Sequence, residues 1–152
     1  MAFQKSLIII CGTIFCSGSA KVDRFEELYC LAKNIYFESR NQPKLGQIAV
    51  GQVTMNRVNS PKFPNSVCEV VQQGGERRHK CQFSWYCDGK KDEPEGGTPW
   101  DESVYLALRI YSEEFPIDVT EGALWYHATY VSPAWAEHYE KTVRINEHIF
   151  YR

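Results

Sequence analysis

Glu38 is the residue whose type and position most invite a chemical reading. Phe25, Leu28, Leu31 or Ala32, and Ile35 recur at three- and four-residue steps, the spacing of one face of a helix. One further step along that stripe reaches Glu38. A carboxyl carried on an apolar face points towards the core or a cleft beside it. Burial there disfavours the charged form and raises the pKa, and the partial negative charge of a helix C-terminus pushes the same way. A carboxylic acid that keeps its proton near neutral pH is suited to general acid catalysis, above all at a glycosidic oxygen. The plainer alternative is a glutamate that bends out to solvent or pairs with Arg40 or Arg57.

The elements that must hold such a residue are legible in outline. A first helix is expected from Asp23 to Arg40, with Asp23 as its cap and Glu26 three residues on in a capping-box arrangement. Asn41 suits a left-handed helix end and Pro43 blocks continuation. A second helix is expected from Gly46 to Val58, with Leu45, Ile48, Ala49 and Val53 as its apolar stripe, before Pro61 and Pro64 break the chain. Residues 59–99 read as loop, dense in Gly, Pro and charge, and a long irregular loop inside a compact domain is usually functional. A third helix is expected from Asp101 to Phe115, where Val104, Ala107, Leu108, Tyr111 and Phe115 repeat at helical spacing and Pro116 ends the run. Gly122 to His127 and Thr142 to Tyr151 are rich in β-branched and aromatic residues and read as short strands. The fold class is α+β, helix-dominated, in a single domain.

The whole chain of 152 residues suits one domain, and 43% hydrophobic with 24% charged residues excludes a disordered chain. A formal net charge of −2 offers no footprint for nucleic acid. Lys5, the short apolar run Leu7 to Phe15, and the small residues Ser17, Gly18, Ser19 and Ala20 form the pattern of an export leader over residues 1–20. The run is far shorter than the ~20 residues a membrane span needs, and neither Cys11 nor Cys16 follows the small residue a lipoprotein signal wants. A buried N-terminal strand or helix is the alternative. The leader reading places residues 21–152 in the periplasm or outside the cell, with a membrane contact through the leader alone. Cys30, Cys68, Cys81 and Cys87 then remain, an even count that suggests two disulfides with three pairings open.

Longer runs add a resemblance. Ala32-Lys33-Asn34-Ile35-Tyr36-Phe37-Glu38-Ser39-Arg40-Asn41-Gln42-Pro43, then Gly46-Gln47-Ile48-Ala49-Val50 and Met55-Asn56-Arg57-Val58, resemble the cell wall hydrolases of the SleB/CwlJ type. So do Cys81-Gln82-Phe83-Ser84-Trp85 with Asp88-Gly89, Gly122-Ala123-Leu124-Trp125-Tyr126-His127 with Val131-Ser132-Pro133 and Trp135-Ala136, and the ending His148-Ile149-Phe150-Tyr151-Arg152. The resemblance covers about residues 27–152. Asn41-Gln42 stands where that family usually has Gly-Glu, and Asn146-Glu147 replaces a usual Gly before His148.

The resemblance implies a lysozyme-like, lytic-transglycosylase-like domain in which Glu38 is the acid. It implies peptidoglycan glycan strands as the partner, cut between N-acetylmuramic acid and N-acetylglucosamine, with no cofactor or metal and a monomeric enzyme. A transglycosylase needs one carboxylate, because the muramic acid 6-hydroxyl attacks. A hydrolase usually needs a second, ~5–5.5 Å or ~6.5–9.5 Å away. Asp88, Asp92, Asp101 and Glu121 are candidates, but none sits in a motif that argues for it, so the transglycosylase is favoured. Gln82, Phe83, Ser84, Trp125, Tyr126 and His127 are the expected sugar contacts. Aromatic faces stack on sugars, and polar groups embedded in apolar runs need partners. Trp100 and Trp135 are left to the core.

Rival readings are an N-acetylmuramoyl-L-alanine amidase, a cysteine nucleophile and a wall-binding module without activity. His79, His127, His138 and His148 show no H-E-x-x-H or short paired spacing for zinc. An oxidising compartment would consume a nucleophilic thiol, and Glu38 argues against a purely binding role. The basic run Arg77-Arg78-His79-Lys80 reads as a solvated loop or a contact for anionic wall polymers. A phage lysis enzyme (an endolysin) and a bacterial remodelling or germination enzyme fit equally.

Overall fold

Asp23 opens the first helix with its side chain: Oδ1 accepts the backbone N–H of Phe25 at 2.9 Å. A computed structural model of the chain describes residues 23–76 and 80–152. The leader expected over residues 1–20, and Arg77, Arg78 and His79 of the basic run, lie outside them. Helix α1 spans Arg24–Ser39 and α2 Lys44–Val58. Asn41 does not take the left-handed conformation expected of it; among the described residues the non-glycine positions at positive φ are Glu113, Glu121 and Asn146. A tight turn closed by the Gln42 N–H on the Ser39 carbonyl at 2.8 Å, followed by Pro43, ends α1 instead.

The expected long loop holds a short helix, α3, over Val67–Gln72, and a 3-10 turn over Ser84–Cys87. Six residues are too few for periodicity to reveal. Yet Val67, Val70 and Val71 are buried, and α3 is capped from a distance: the Glu27 carboxylate on α1 accepts the backbone N–H groups of Val67 and Cys68. The disulfide Cys30–Cys68 joins the same two helices, and Cys81–Cys87 closes a smaller loop.

Helix α4, Thr98–Tyr111, begins and ends earlier than its sequence pattern suggests, with Gly97 at φ 74° before it and Pro99 in its first turn. It also faces the core differently. Ser103, Leu106, Ala107 and Ile110 are buried, whereas Val104 and Leu108 of the expected stripe are 43% and 50% exposed. The cause is a notch in α2: a Cβ at Gly51 would stand 2.5 Å from Ile110 Cδ1 and 3.0 Å from Ile35 Cδ1. The stripe that fits this notch is rotated by one residue from the most apolar one. Phe25 and Leu45 likewise stay outside, at 82% and 49% exposure.

The C-terminal third forms an antiparallel sheet of β1 (Trp125–Ala128), β2 (Lys141–Ile145) and β3 (His148–Tyr151), in the order β1-β3-β2. Asn146, at φ 51°, makes the turn between β2 and β3. It supplies the left-handed residue that Gly provides in the resembled motif. A second 3-10 turn, Ala134–His138, lies between β1 and β2.

Removing the α1–α3 disulfide in a Cys30→Ala, Cys68→Ala double variant is expected to cost about 3–4 kcal/mol, from the loop-closure entropy of the 38-residue separation. Urea unfolding measures it, and an unchanged midpoint would contradict the pairing.

Candidate active site

The last turn of α1 directs the half-buried Glu38 against the sheet. There the hydroxyl of Tyr126, on β1, donates to Glu38 Oε2 at 2.8 Å, across 88 residues of sequence. The Asn56-Arg57 pair near the end of α2 brings the strand to the helix. Asn56 Nδ2 donates to Asp118 Oδ2 at 2.8 Å and to the Ala123 carbonyl at 3.1 Å. Arg57 Nε donates to the Leu124 carbonyl at 2.7 Å. Asp118 in turn accepts from Thr120 and Gly122. Burial pushes its carboxyl up, but these bonds outweigh it and hold the group below its ordinary range. The chain is thus pinned on both sides of the turn that leads into β1. The strand's alternation then turns Tyr126 inward, with Phe150 and His148 beside it at ring separations of 5.5 and 5.2 Å.

Burial raises the Glu38 pKa above its ordinary 4.5; the Tyr126 hydrogen bond and the positive charge of Arg57 oppose that rise without cancelling it. Tyr126 is pushed well above its usual range, first by burial and then by the neighbouring carboxylate, so it remains a donor. Arg57 is 3% exposed. Its guanidinium lies 4.9 Å from the ring centre of Phe83 and 5.2 Å from that of Phe63. The site therefore pairs a reluctant carboxylate with a fixed donor and a buried cation.

Glu38 opens into a cleft of about 500 Å³. Phe37, Ser84, Trp85 and Asp88 form one wall, and Tyr126, His127, Ala128, Tyr130, Val131 and His148 the other. Asn34 fixes the first wall. Its Oδ1 accepts from Trp85 Nε1 at 3.0 Å, and its Nδ2 donates to Thr54 Oγ1 at 3.0 Å. Trp85 stacks on Phe37 at 4.7 Å. The Cys81–Cys87 disulfide spans the loop that carries Ser84 and Trp85.

Of the expected sugar contacts, Ser84, Tyr126 and His127 therefore line the cleft with Glu38. Gln82 is exposed nearby, outside the lining. Phe83 is 2% exposed and packs beneath the wall against Arg57. Trp125 faces the other side of the sheet, stacked on Tyr139 at 4.0 Å. His127 turns its ring to that outer face, with Nε2 at 2.9 Å from the Tyr151 hydroxyl, while the residue still borders the cleft. Sequence reading missed Phe37, Trp85, Tyr130, Val131 and His148. Phe37, Trp85, Val131 and His148 lay inside recognised runs and could have been found there, whereas nothing in its neighbours marks Tyr130 as 83% exposed at a cleft edge. Asp88 is the second-carboxylate candidate that the fold brings into the cleft; Asp92, Asp101 and Glu121 are not among its lining residues. Cys30, Cys68, Cys81 and Cys87 are all paired. Among the described residues no group of three or more His, Cys, Asp or Glu is placed to hold a metal ion.

Residues 41–151 match the family described as Cell Wall Hydrolase. The chain belongs to the cell wall hydrolase family. It is 33% identical over 132 residues to a spore cortex-lytic enzyme of Bacillus subtilis (strain 168), covering 82% of this chain and 37% of that protein. A spore cortex-lytic enzyme of Bacillus cereus is 47% identical over 45 residues, 30% of this chain and 17% of its own length. The match thus spans little more than a third of the first of these relatives and about a sixth of the second. The catalytic domain of Bacillus cereus SleB superposes with a TM-score of 0.65 at 28% identity, over 84% of this chain and 91% of that one. The catalytic domain of the germination-specific lytic transglycosylase SleB from Bacillus anthracis gives 0.66 at 28% identity, over 87% and 98%. The helix-rich, lysozyme-like fold expected for this family member is the one observed.

The raised pKa of Glu38 has a consequence for stability. Well below pH 4.5 the carboxyl is protonated in the folded and unfolded chains alike. As pH rises past that value the unfolded chain loses its proton first, so folding becomes less favourable until the folded carboxyl ionises too. Glu38→Gln, which keeps an acceptor for Tyr126, is expected to raise the melting temperature at pH 7 and to leave it nearly unchanged at pH 4. Equal melting curves at pH 7 would contradict the burial of this group.

Proposed function

We propose that this chain cleaves the glycan strand of peptidoglycan between N-acetylmuramic acid and N-acetylglucosamine, as a lytic transglycosylase with Glu38 as general acid and then base. One observation carries the reading: a carboxyl held by Tyr126 at 2.8 Å and raised in pKa faces an open, aromatic-walled cleft. Protonated Glu38 gives its proton to the glycosidic oxygen as the bond to C1 of the muramic acid breaks. Positive charge spreads over C1 and the ring oxygen. The C6 hydroxyl of the same sugar attacks C1, its proton passes to the Glu38 carboxylate, and a 1,6-anhydro end results. The enzyme returns to its starting protonation state without a water molecule. Ser84, Tyr126 and His127, which line the cleft with Glu38, are the residues that would flank the sugar.

A hydrolase is the second reading, favoured by the presence of Asp88 in the same cleft. That carboxylate already accepts the Lys90 backbone N–H at 2.8 Å and lies 3.5 Å from Lys90 Nζ.

Mass spectrometry of soluble products from purified peptidoglycan separates these readings. Residues 21–152 are expected to release anhydro-muropeptides, and Glu38→Gln to lower the rate by ~10²–10⁴-fold. Asp88→Asn should keep the anhydro products. Reducing ends lost with Asp88→Asn would establish the hydrolase. Freed peptides with intact glycan, insensitive to Glu38→Gln, would mean an amidase.

Export through a leader over residues 1–20 is part of the same proposal. N-terminal sequencing of protein recovered outside the cytoplasm should begin near Lys21, and an intact Met1 would refute cleavage.

A further inference from the structure

Arg57 is a buried permanent cation without an anionic contact. It is 3% exposed, and no carboxylate among the described residues comes within ion-pairing distance of it. Nε is satisfied by the Leu124 carbonyl at 2.7 Å, but Nη1 is buried and has no hydrogen-bond partner. Phe63 and Phe83 lie 5.2 and 4.9 Å from the guanidinium carbon. An arginine so placed costs several kcal/mol of desolvation unless nearby negative charge offsets it. The groups that act on it electrostatically are Tyr126 and Glu38, the two partners of the hydrogen bond that faces the cleft. Arg57 is not among the cleft's lining residues; it is buried and bonded to the strand at Leu124, two residues before Tyr126.

We propose that Arg57 is the fixed positive charge that lets Glu38 act twice: a positioning residue that stabilises the carboxylate between its two proton transfers without touching the glycan. The inference rests on the transglycosylase reading. That reaction needs the proton to leave Glu38 and to come back within one turnover. Burial alone favours the neutral acid and makes donation difficult; a lone cation favours the anion and makes recovery difficult. Arg57 opposes burial from the protein side, where the substrate cannot displace it. The planar guanidinium also holds Leu124, two residues before Tyr126, so one side chain sets both the local charge and the place of the donor. The other ionisable groups lining the cleft with Glu38 are Tyr126 and His127 on β1, Tyr130 just after it, His148 on β3 and Asp88 beyond the 3-10 turn. Of these, Tyr126 joins Arg57 in acting appreciably on it.

The test reads Glu38 directly and does not need activity. Carboxyl ¹³C NMR of residues 21–152, with Glu38→Gln to assign the signal, follows the titration of Glu38 in wild type, Arg57→Lys and Arg57→Gln. Arg57→Gln is expected to move the midpoint up by about one pH unit or more, the size of shift an opposite charge close by produces. Arg57→Lys should stay close to wild type. In turnover, the high-pH limb of kcat should move up with Arg57→Gln and kcat should fall about tenfold or more, with KM little changed. Citrulline at position 57 keeps the Nε–H bond and the shape while removing the charge, so it replaces Arg57→Gln if that variant does not fold. An unmoved Glu38 midpoint in the neutral variants overturns the role of Arg57 even if Glu38 is the acid. Equal shifts in the lysine and neutral variants would make the effect one of packing and also overturn it. Full activity of Glu38→Gln would instead overturn the functional reading, whatever the titration shows.

Discussion

The hydrogen bond from Tyr126 to Glu38 joins the helical half of the chain to the sheet at the cleft. One partner closes a helix and the other sits mid-strand, so the 2.8 Å contact exists only if α1, α2 and the sheet hold their positions together. Tyr126 is held at the strand by Phe150 and His148, and the strand is held at α2 by Asn56 and Arg57. Loss of any of these supports leaves a carboxyl in apolar surroundings without its donor, a costly state for either protonation form.

The interior is organised by polar groups as much as by apolar ones. Asn34 is fully buried, yet its amide links α1 to Thr54 on α2 and to Trp85 in the cleft wall. Glu27 is buried and caps α3. Gln52 donates to the Ile117 carbonyl and accepts from the Val119 N–H, fixing the chain that follows α4. The Asn34–Trp85 and Gln52 bonds tie helices to irregular segments, where no repeating backbone ladder is available. The segment over residues 84–88 carries part of one cleft wall, and its order comes from Asn34 and from the Cys81–Cys87 disulfide.

The site also shows how one environment can serve opposite demands. Burial favours the protonated acid, while Tyr126 and Arg57 favour its anion. A group poised between those influences can give up a proton and take one back, which a fully solvated glutamate or a tight ion pair does poorly. Aromatic rings of Phe37, Trp85, Tyr126 and Tyr130 stand around it. Membership of the cell wall hydrolase family and the likeness to SleB catalytic domains agree with such a site.

Local pattern alone was enough to locate the first two helices, the strand regions and the stripe that ends in Glu38, because amphipathic periodicity and capping are written in neighbouring residues. It also marked Asp23 as a cap and the four cysteines as paired, though not with which partners. Where it failed, the deciding contact came from elsewhere in the chain. The buried face of α4 depends on the notch at Gly51; α3 is different, because its start is also written locally in the Ser66 cap with Glu69, to which Glu27 adds a cap from α1. Asn41 lost its left-handed turn to a bond between Gln42 and Ser39, while Asn146 gained one between two strands. Trp125 and Tyr126 are adjacent and equally aromatic in sequence. Only the pairing of β1 with β3 decides that one stacks outside on Tyr139 and the other meets Glu38, since successive side chains of a strand point to opposite faces.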